Sequence, residues 1–228
     1  MQPIKYRHEV KHFVNLFDYL VISGKLKHVM TLDKNTGSNK QYKIRSLYFD
    51  NLQDKVLLEK INGVNRREKF RIRFYNDDHS FIRLEKKIKH NGLCAKLSEP
   101  ITKEECISLL NGDIGFLRAS GKDLFIELYT KIKDEILKPK TIVDYTREAY
   151  VYKAGNVRVT FDKAIRTGIY NRNFFDKDMS TVQAVDSGLI VLEVKYDEFL
   201  PEIIQDLLQT NDRRAEAISK YAASRIYG

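Results

Sequence analysis

The feature of this sequence that most constrains its fold is a strict alternation of basic and apolar residues within short segments. Between residues 69 and 74, Lys69, Arg71 and Arg73 alternate with three apolar residues. Successive side chains of a β-strand point to opposite faces of a sheet, so this pattern predicts a strand with one basic and one apolar face. A sheet built from such strands buries its apolar face against other elements.

The same alternation recurs in other segments. In each of five further segments, residues two apart fall on one face of a predicted strand, and that face carries charge. The five faces are Arg7, Glu9 and Lys11; Arg83, Glu85 and Lys87; Val143, Tyr145 and Arg147; Arg158, Thr160, Asp162 and Arg166; and Glu193 and Lys195. For any one strand, the simplest interpretation is an ordinary half-exposed sheet. Taken together, these faces carry like charges that would repel one another unless an anion or a metal ion lay between them. They favour a closed barrel whose lumen holds a polyanion, with Glu carboxylates holding a divalent metal against its phosphates.

Periodicity and turn signals divide the chain into about eight strands and several helices. Besides the first strand near residues 7–12, we predict strands at 42–49, 66–75, 81–88, 93–98, 140–153, 157–167 and 189–196. Helices are predicted at 15–28, 52–61, 102–110, 122–136, 201–208 and 214–226. No segment has the composition of a linker, so we expect one domain over residues 1–228, of the α+β class and dominated by antiparallel sheet.

Short polar motifs mark the ends of several of these elements. Residues 102–105 have the pattern of a capping box, which predicts the start of a helix. Asn62 and Gly63 form a stop signal for the helix before them. Residues 76–78 and 91–92 have the composition of hairpin turns.

The net charge of +9 favours an anionic partner: nucleic acid, an anionic membrane surface, a phosphorylated metabolite or polyphosphate. An exposed basic sheet that binds nucleic acid is the second interpretation of the strand pattern. Phe70, Phe74 and Phe81, however, fall on the apolar side rather than among the basic residues, which disfavours base stacking. No helix has a dense basic stripe suited to a major groove.

Other function classes are disfavoured by what the sequence does not contain. It has no apolar run of about 18 residues and no signal-peptide pattern, and Cys94 and Cys106 lack metal-ligand spacing. These features predict a cytoplasmic protein with reduced thiols. There is no phosphate-loop motif and no Ser-His-Asp or Cys-His grouping, so conventional kinase and hydrolase architectures are disfavoured.

Several motifs together resemble a known family. They are the runs at residues 44–50, 65–73 and 192–195, the opening Glu9-Val10-Lys11 and the closing Ser219-Lys220-Tyr221. In this order they resemble the VTC domain, the polyphosphate-polymerase domain of the vacuolar transporter chaperone family. That family belongs to the CYTH-like triphosphate tunnel metalloenzymes. The resemblance implies a closed eight-stranded antiparallel β-tunnel with flanking helices and a C-terminal helix at the tunnel.

The resemblance also implies an activity and its partners. Members of this kind transfer the γ-phosphate of ATP to a growing polyphosphate chain inside the tunnel, with Mn²⁺ or Mg²⁺. ATP and polyphosphate are then the expected ligands, and nucleic acid is not. By analogy, a membrane protein that exports the product is a further partner, which would place this protein at the membrane periphery. The sequence gives no oligomeric state.

The family's site residues carry over by motif position. The basic residues that match phosphate-binding positions are Lys11, Arg71, Arg73, Lys87, Arg147 and Arg158, with Lys96 as a weaker match. Glu193 matches the metal-holding carboxylate, and its neighbour Lys195 is an expected substrate contact. Lys220 matches a lysine of the C-terminal helix at the tunnel wall. All of these except Glu193, Lys96 and Lys195 are expected to take part in catalysis.

One position departs from the wider superfamily. Its opening motif is Glu-x-Glu-x-Lys, whereas this chain has Arg7 at the first position. The departure weakens the case for a metal site made of several carboxylates and is closer to the polymerase branch. A tripolyphosphatase or nucleoside-triphosphate hydrolase of the same fold, and a polyphosphate-binding module without activity, remain as alternatives.

Overall fold

The structure is a computed structural model, which describes residues 4–37, 39–169, 173–209 and 218–225. The strands are β1 (His8–Val14), β2 (Thr31–Leu32), β3 (Tyr42–Asp50), β4 (Arg67–Tyr75), β5 (Asp78–His90), β6 (Leu93–Pro100), β7 (Lys138–Tyr152), β8 (Val157–Ile169), β9 (Val182–Gln183) and β10 (Ile190–Tyr196). The helices are α1 (Leu16–Val29), α2 (Lys55–Ile61), α3 (Lys103–Leu110), α4 (Gly115–Ala119), α5 (Asp123–Asp134), α6 (Glu202–Leu207) and α7 (Lys220–Ala223).

The eight longer strands form one antiparallel sheet in the order β1-β10-β8-β7-β3-β4-β5-β6. β2 pairs with β7, and β9 pairs with β8. The two edge strands meet where the backbones of Arg7 and Cys94 exchange two hydrogen bonds of 2.9 Å. The sheet therefore curls round on itself, and the predicted α+β tunnel of eight antiparallel strands is confirmed.

The outer face of the sheet is apolar and covered by helices. On one side, Phe70, Ile72 and Phe74 of β4 pack in a core that α3, α4 and α5 cover. On the other side, α1 and α6 cover a second core that includes Val159 and Leu192. Because period-two alternation sends the remaining side chains to the other face, the charged residues of the same strands are directed into the tunnel.

The predicted local signals agree with the structure in most elements. The hydroxyl of Thr102 accepts from the backbone N–H of Glu105 at 3.1 Å, and the Glu105 carboxylate accepts from the Thr102 N–H at 2.8 Å. The hairpin turn of Asn76 and Asp77 has φ values of 50° and 57°, both in the left-handed region. Turns of this kind match the twist of the strands that they join, which explains why short polar residues stand there.

Three helices differ from the sequence predictions. α2 begins at Lys55 rather than at residue 52, because the buried Asp50 carboxylate accepts from the N–H groups of Val56 and Leu57 at 2.9 and 3.1 Å and fixes its first turn. The short helix α4 was not predicted at all. Of the helix predicted at 214–226, only α7 is described; residues 210–217 and 226–228 lie outside the described residues.

The predicted alignment of Arg166 with Arg158 is wrong. Ala164 has a φ of 49°, and the pairing of β7 with β8 shifts register opposite it, so β8 contains a bulge. The extra residue moves Arg166 to the outer face, where its Nε donates to the Thr181 hydroxyl at 2.7 Å. Period-two reasoning holds only up to the bulge.

No helix in the described part of the chain is long and apolar enough to cross a membrane.

Candidate functional site: a basic tunnel

The inner face of the curled sheet encloses a cavity of about 430 Å³. All ten site residues that the sequence predicted line it, and they come from seven strands and one helix: Lys11, Arg71, Arg73, Lys87, Lys96, Arg147, Arg158, Glu193, Lys195 and Lys220. Among the described residues, fifteen Lys or Arg side chains line the cavity, against three Glu. The structure thus brings the predicted residues together, while their roles in binding and catalysis stay a proposal.

Arg71 and Arg73 of β4 surround the carboxylate of Glu85 on β5. Arg71 pairs with Glu85 at 2.6 Å, and Arg73 approaches it at 3.9 Å. Lys96 of β6 pairs with the other carboxylate oxygen at 2.9 Å. Burial alone would raise the pKa of Glu85, but these cations hold that pKa well below its ordinary value. Glu85 is therefore an ionised buried group that fixes the two arginines in place.

Two tyrosine hydroxyls also accept hydrogen bonds from these arginines. Arg71 donates to the Tyr48 hydroxyl at 3.1 Å, and Arg73 donates to the Tyr145 hydroxyl at 2.8 Å. Arg73 also donates to Ser46 at 3.0 Å. Because each guanidinium has five N–H donors, these bonds orient the planar groups and leave further donors for a ligand.

Two carboxylates, Glu9 of β1 and Glu193 of β10, lie among three lysines. Lys87 pairs with Glu9 at 2.6 Å and Lys195 pairs with Glu193 at 2.7 Å. Lys11 lies between them, at 2.8 Å from Glu9 and 3.4 Å from Glu193. Burial acts to raise the pKa of each carboxyl, but the lysines hold both pKa values well below the ordinary range.

The C-terminal helix α7 is tied to the tunnel by its own charges. Arg147 of β7 pairs with the fully buried Asp162 of β8 at 2.6 Å, and Lys220 of α7 pairs with the same carboxylate. Tyr221 donates to Asp50, the residue that also caps α2. These contacts place Lys220 at the tunnel wall, at the position that the sequence predicted.

Arg158 occupies a more open position than the other predicted arginines. It pairs with Asp33 at 2.7 Å and donates to the Tyr42 hydroxyl at 2.9 Å. Its side chain is 32% exposed, whereas that of Arg147 is 9% exposed. Arg158 therefore marks an accessible part of the cavity.

The cavity also includes residues that the sequence analysis did not propose as site residues. Lys69 lies with its ammonium 5.1 Å from the centre of the Tyr48 ring. Burial, helped by neighbouring cations, lowers the pKa of Lys69 to about 7. For Tyr48, burial acts in the opposite direction, but Arg71 and Lys69 outweigh it and lower the pKa to about 6. Lys69 shares the alternation of β4, so the pattern contained the signal; Tyr48 stands in a mostly apolar strand, and no signal marked it.

Further cavity residues, Lys60, Arg67 and Lys89, were also not proposed. Arg67 and Lys89 lie near strand ends, and Lys60 lies on α2, where no strand periodicity could indicate its direction.

The carboxylates of the cavity can be compared with the ligands that the predicted divalent metal ion needs. In the described part of the chain, no three His, Cys, Asp or Glu side chains form a group that could hold a metal ion by themselves. Glu9 and Glu193, both bridged by Lys11, offer two ionised carboxylates. Mg²⁺ and similar hard ions are commonly held by one or two carboxylates together with substrate phosphates, and these two residues fit that kind of site.

A family model and solved structures are similar to this chain. A sequence model of the VTC domain matches residues 6–226. A candidate adenylate cyclase from Bacillus halodurans has a similar structure, with a TM-score of 0.50 and 13% identity over 84% of this chain and 81% of that chain. A protein from Pyrococcus horikoshii aligns with a TM-score of 0.46 and 16% identity over 94% of this chain and 96% of that chain. No curated protein matches by sequence. Because the match spans nearly the whole chain, this protein belongs to the VTC domain family.

Proposed function

We propose that this protein is a metal-dependent polyphosphate polymerase, which transfers the γ-phosphate of ATP to a growing polyphosphate chain inside the tunnel. The observation that carries the proposal is the convergence of basic side chains from seven strands and α7 on one enclosed cavity. A linear phosphate chain is the ligand class that such a cavity suits, because it carries charge along its whole length. Membership of the VTC domain family supports the same activity.

Phosphoryl transfer depends mainly on positioning and charge stabilisation, and the tunnel is built for both. Arg71 and Arg73 are already oriented by Glu85 and by tyrosine hydroxyls, so they lose little freedom when they bind phosphate oxygens. Their planar forks suit two-point contacts with successive phosphates. Lys11, Lys87 and Lys220 would neutralise charge from other walls of the tunnel.

Glu193, with Glu9 beside it, would hold Mn²⁺ or Mg²⁺ against the phosphates. When bound, the metal neutralises negative charge on the transferring phosphoryl group. The lysines that pair with the two carboxylates keep them ionised in the absence of the ion. The same carboxylates position Lys11, Lys87 and Lys195 around the substrate.

The wall near β1 favours the polymerase over a hydrolase of the same fold. Arg7 stands where the wider superfamily has the first Glu of its opening motif, and it pairs with Asp197 at 2.7 Å. This wall therefore has one carboxylate fewer with which to hold a metal ion, and the charge of Arg7 is paired with Asp197. A membrane-protein partner that receives the product remains a prediction from the family resemblance.

The test is to incubate the purified protein with ATP and either Mn²⁺ or Mg²⁺ and to separate the products on a gel. Long phosphate chains are the expected result. Orthophosphate alone would instead identify a hydrolase, and tight tripolyphosphate binding without turnover in either metal would identify a binding module. Arg73→Gln should remove the activity, whereas Lys25→Gln, on the exposed side of α1, should retain it.

A further inference from the structure

Four basic residues of the cavity differ from its other Lys and Arg residues, because they have no carboxylate partner within the described ranges. They are Lys60 of α2, Arg67 and Lys69 of β4, and Lys89 of β5, and we call them the mouth cluster. No Asp or Glu in the described part of the chain forms an ion pair with any of them. The predicted site residues, by contrast, each approach a carboxylate, at distances no longer than the 3.9 Å of Arg73 and Glu85.

The backbone holds members of this cluster against one another. Arg67 and Lys89 are directly opposite in the pairing of β4 with β5, and Lys69 is opposite Lys87. Like charges at directly opposite positions destabilise a sheet. Asn65 and Asn91 fix this end of the hairpin, because the Asn91 N–H donates to the Asn65 side chain at 2.9 Å. This contact and the register of the two strands keep the like charges opposite one another.

The acidic residues nearest in sequence do not reach the cluster. Glu68 pairs instead with Lys86 at 2.7 Å and with Lys131 at 3.0 Å, in a network with α5. Burial raises the pKa of Glu59, and the charges that act on it are those of this same network. The pKa of Lys60 is lowered by burial and by the charges of Arg67, Lys89 and Lys11. The mouth cluster is thus left with an excess of positive charge that no carboxylate of the described residues balances.

We propose that the mouth cluster is a second polyanion subsite, which holds the part of a long polyphosphate chain that extends beyond the triphosphate-binding interior. The inference rests on the proposed function, because it assigns the same tunnel a substrate longer than a nucleotide triphosphate. The interior cations contact carboxylates and so form a pre-arranged site for a short triphosphate. The mouth cations are continuous with that cavity and need an external anion for neutralisation.

The test compares two probes: inorganic tripolyphosphate, and polyphosphate of about 60 phosphates, long enough to leave the interior. The variant carries Lys60→Gln, Arg67→Gln and Lys89→Gln, and the matched control carries Lys25→Gln, Lys27→Gln and Lys153→Gln. Those control lysines are exposed and do not line the cavity. Both triple variants remove three positive charges. A difference in affinity between them therefore reports the position of the charges rather than the net charge.

The mouth variant should bind the long chain at least tenfold more weakly than the wild type does, and tripolyphosphate within about twofold of the wild type. The slope of log affinity against log salt for the long chain should fall by about 2, since each neutralised phosphate contributes about 0.7. The control variant should keep the wild-type ratio between its affinities for the long chain and for tripolyphosphate.

Three results would overturn the inference. Equal losses for both probes would make the mouth part of the triphosphate site, and no loss for either would remove it from binding. An equal loss of long-chain affinity in the control variant would attribute the effect to net charge. If the wild type binds neither probe, the proposed function fails first, and the subsite fails with it.

Discussion

The cations of the tunnel interior and those of its mouth have the same chemistry but opposite electrostatic settings. In the interior, Glu85 is 1% exposed and pairs with the largely buried Arg71 at 2.6 Å. At the mouth, Arg67 and Lys89 are half-buried and face each other, and no carboxylate in the part of the chain that the structure describes pairs with them. The difference teaches that the basic residues of one cavity need not share one role.

The two settings have different consequences for stability. A buried ion pair contributes little net stability when it is intact, but losing one partner leaves an uncompensated buried charge. An unpaired cation among like charges is already unfavourable, so its neutralisation removes repulsion. Substitutions in the interior should therefore destabilise the fold, while substitutions at the mouth should not.

The largest effect is expected from Arg71→Ala. This change leaves the buried Glu85 with Lys96 and the more distant Arg73. We expect the free energy of unfolding to fall by about 3 kcal/mol, the scale measured when one partner of a buried pair is removed. Urea denaturation measures it. The double variant Arg71→Ala, Glu85→Gln should recover much of the loss, and a double variant as unstable as the single one would refute the pairing argument.

A second large effect is expected from Glu193→Gln, and it separates metal chemistry from anion binding. Without metal, tripolyphosphate should bind equally well or more tightly, because a negative charge has been removed from the cavity. With Mn²⁺, turnover of ATP should fall about a hundredfold, on the scale by which a metal stabilises transition-state charge. Calorimetry and a product assay give the two values. Unchanged turnover would exclude Glu193 from the reaction.

Most of the tunnel was predictable because successive side chains along its strands alternate between the inner and the outer face. Alternation in β4 and β5 identified Arg71, Arg73 and Lys87 and directed their neighbours to the apolar core. The alternation failed at the bulge beside Ala164, since one inserted residue reverses every side chain after it. A bulge of this kind needs no Gly, so the sequence contained no signal for it.

The partners of the charges could not be predicted. Sequence spacing places Glu85 and Arg71 on opposed strands, but only the register of the hairpin makes them direct neighbours. The same register makes Arg67 and Lys89 neighbours, with the opposite electrostatic result. Lys60 enters the cavity from a helix that alternation does not describe. The distinction between interior and mouth therefore depends on tertiary structure.

A smaller effect should appear in the pH dependence of binding. The pKa of Lys69 is about 7 in the free protein, and a bound phosphate chain would raise it. Binding then takes up a proton, so the affinity for the long polyphosphate chain should decrease above pH 7, by up to about tenfold per pH unit. Tyr48, with a pKa of about 6, adds repulsion in the same direction once it ionises.

Calorimetric titrations between pH 6 and pH 9 would check this dependence. Lys69→Gln should flatten the profile, and Tyr48→Phe should remove only the component that begins near pH 6. Lys153→Gln is the control, because this exposed lysine does not line the cavity. If affinity depends on pH equally steeply in the wild type and in Lys69→Gln, then Lys69 does not take up a proton on binding.

The smallest effect is expected for the free energy of unfolding of the mouth variant, and it contrasts with the large loss expected for Arg71→Ala. Neutralising Lys60, Arg67 and Lys89 together removes three cations, yet it should leave the free energy of unfolding unchanged or raise it by about 0.5 kcal/mol, because cross-strand repulsion between like charges disappears. Urea denaturation at low salt, without phosphate, is the measurement. At high salt the gain should vanish, since screening weakens the repulsion in the wild type as well. A loss of more than about 1 kcal/mol would mean that these residues stabilise the apo fold, and the mouth would then be electrostatically equivalent to the interior.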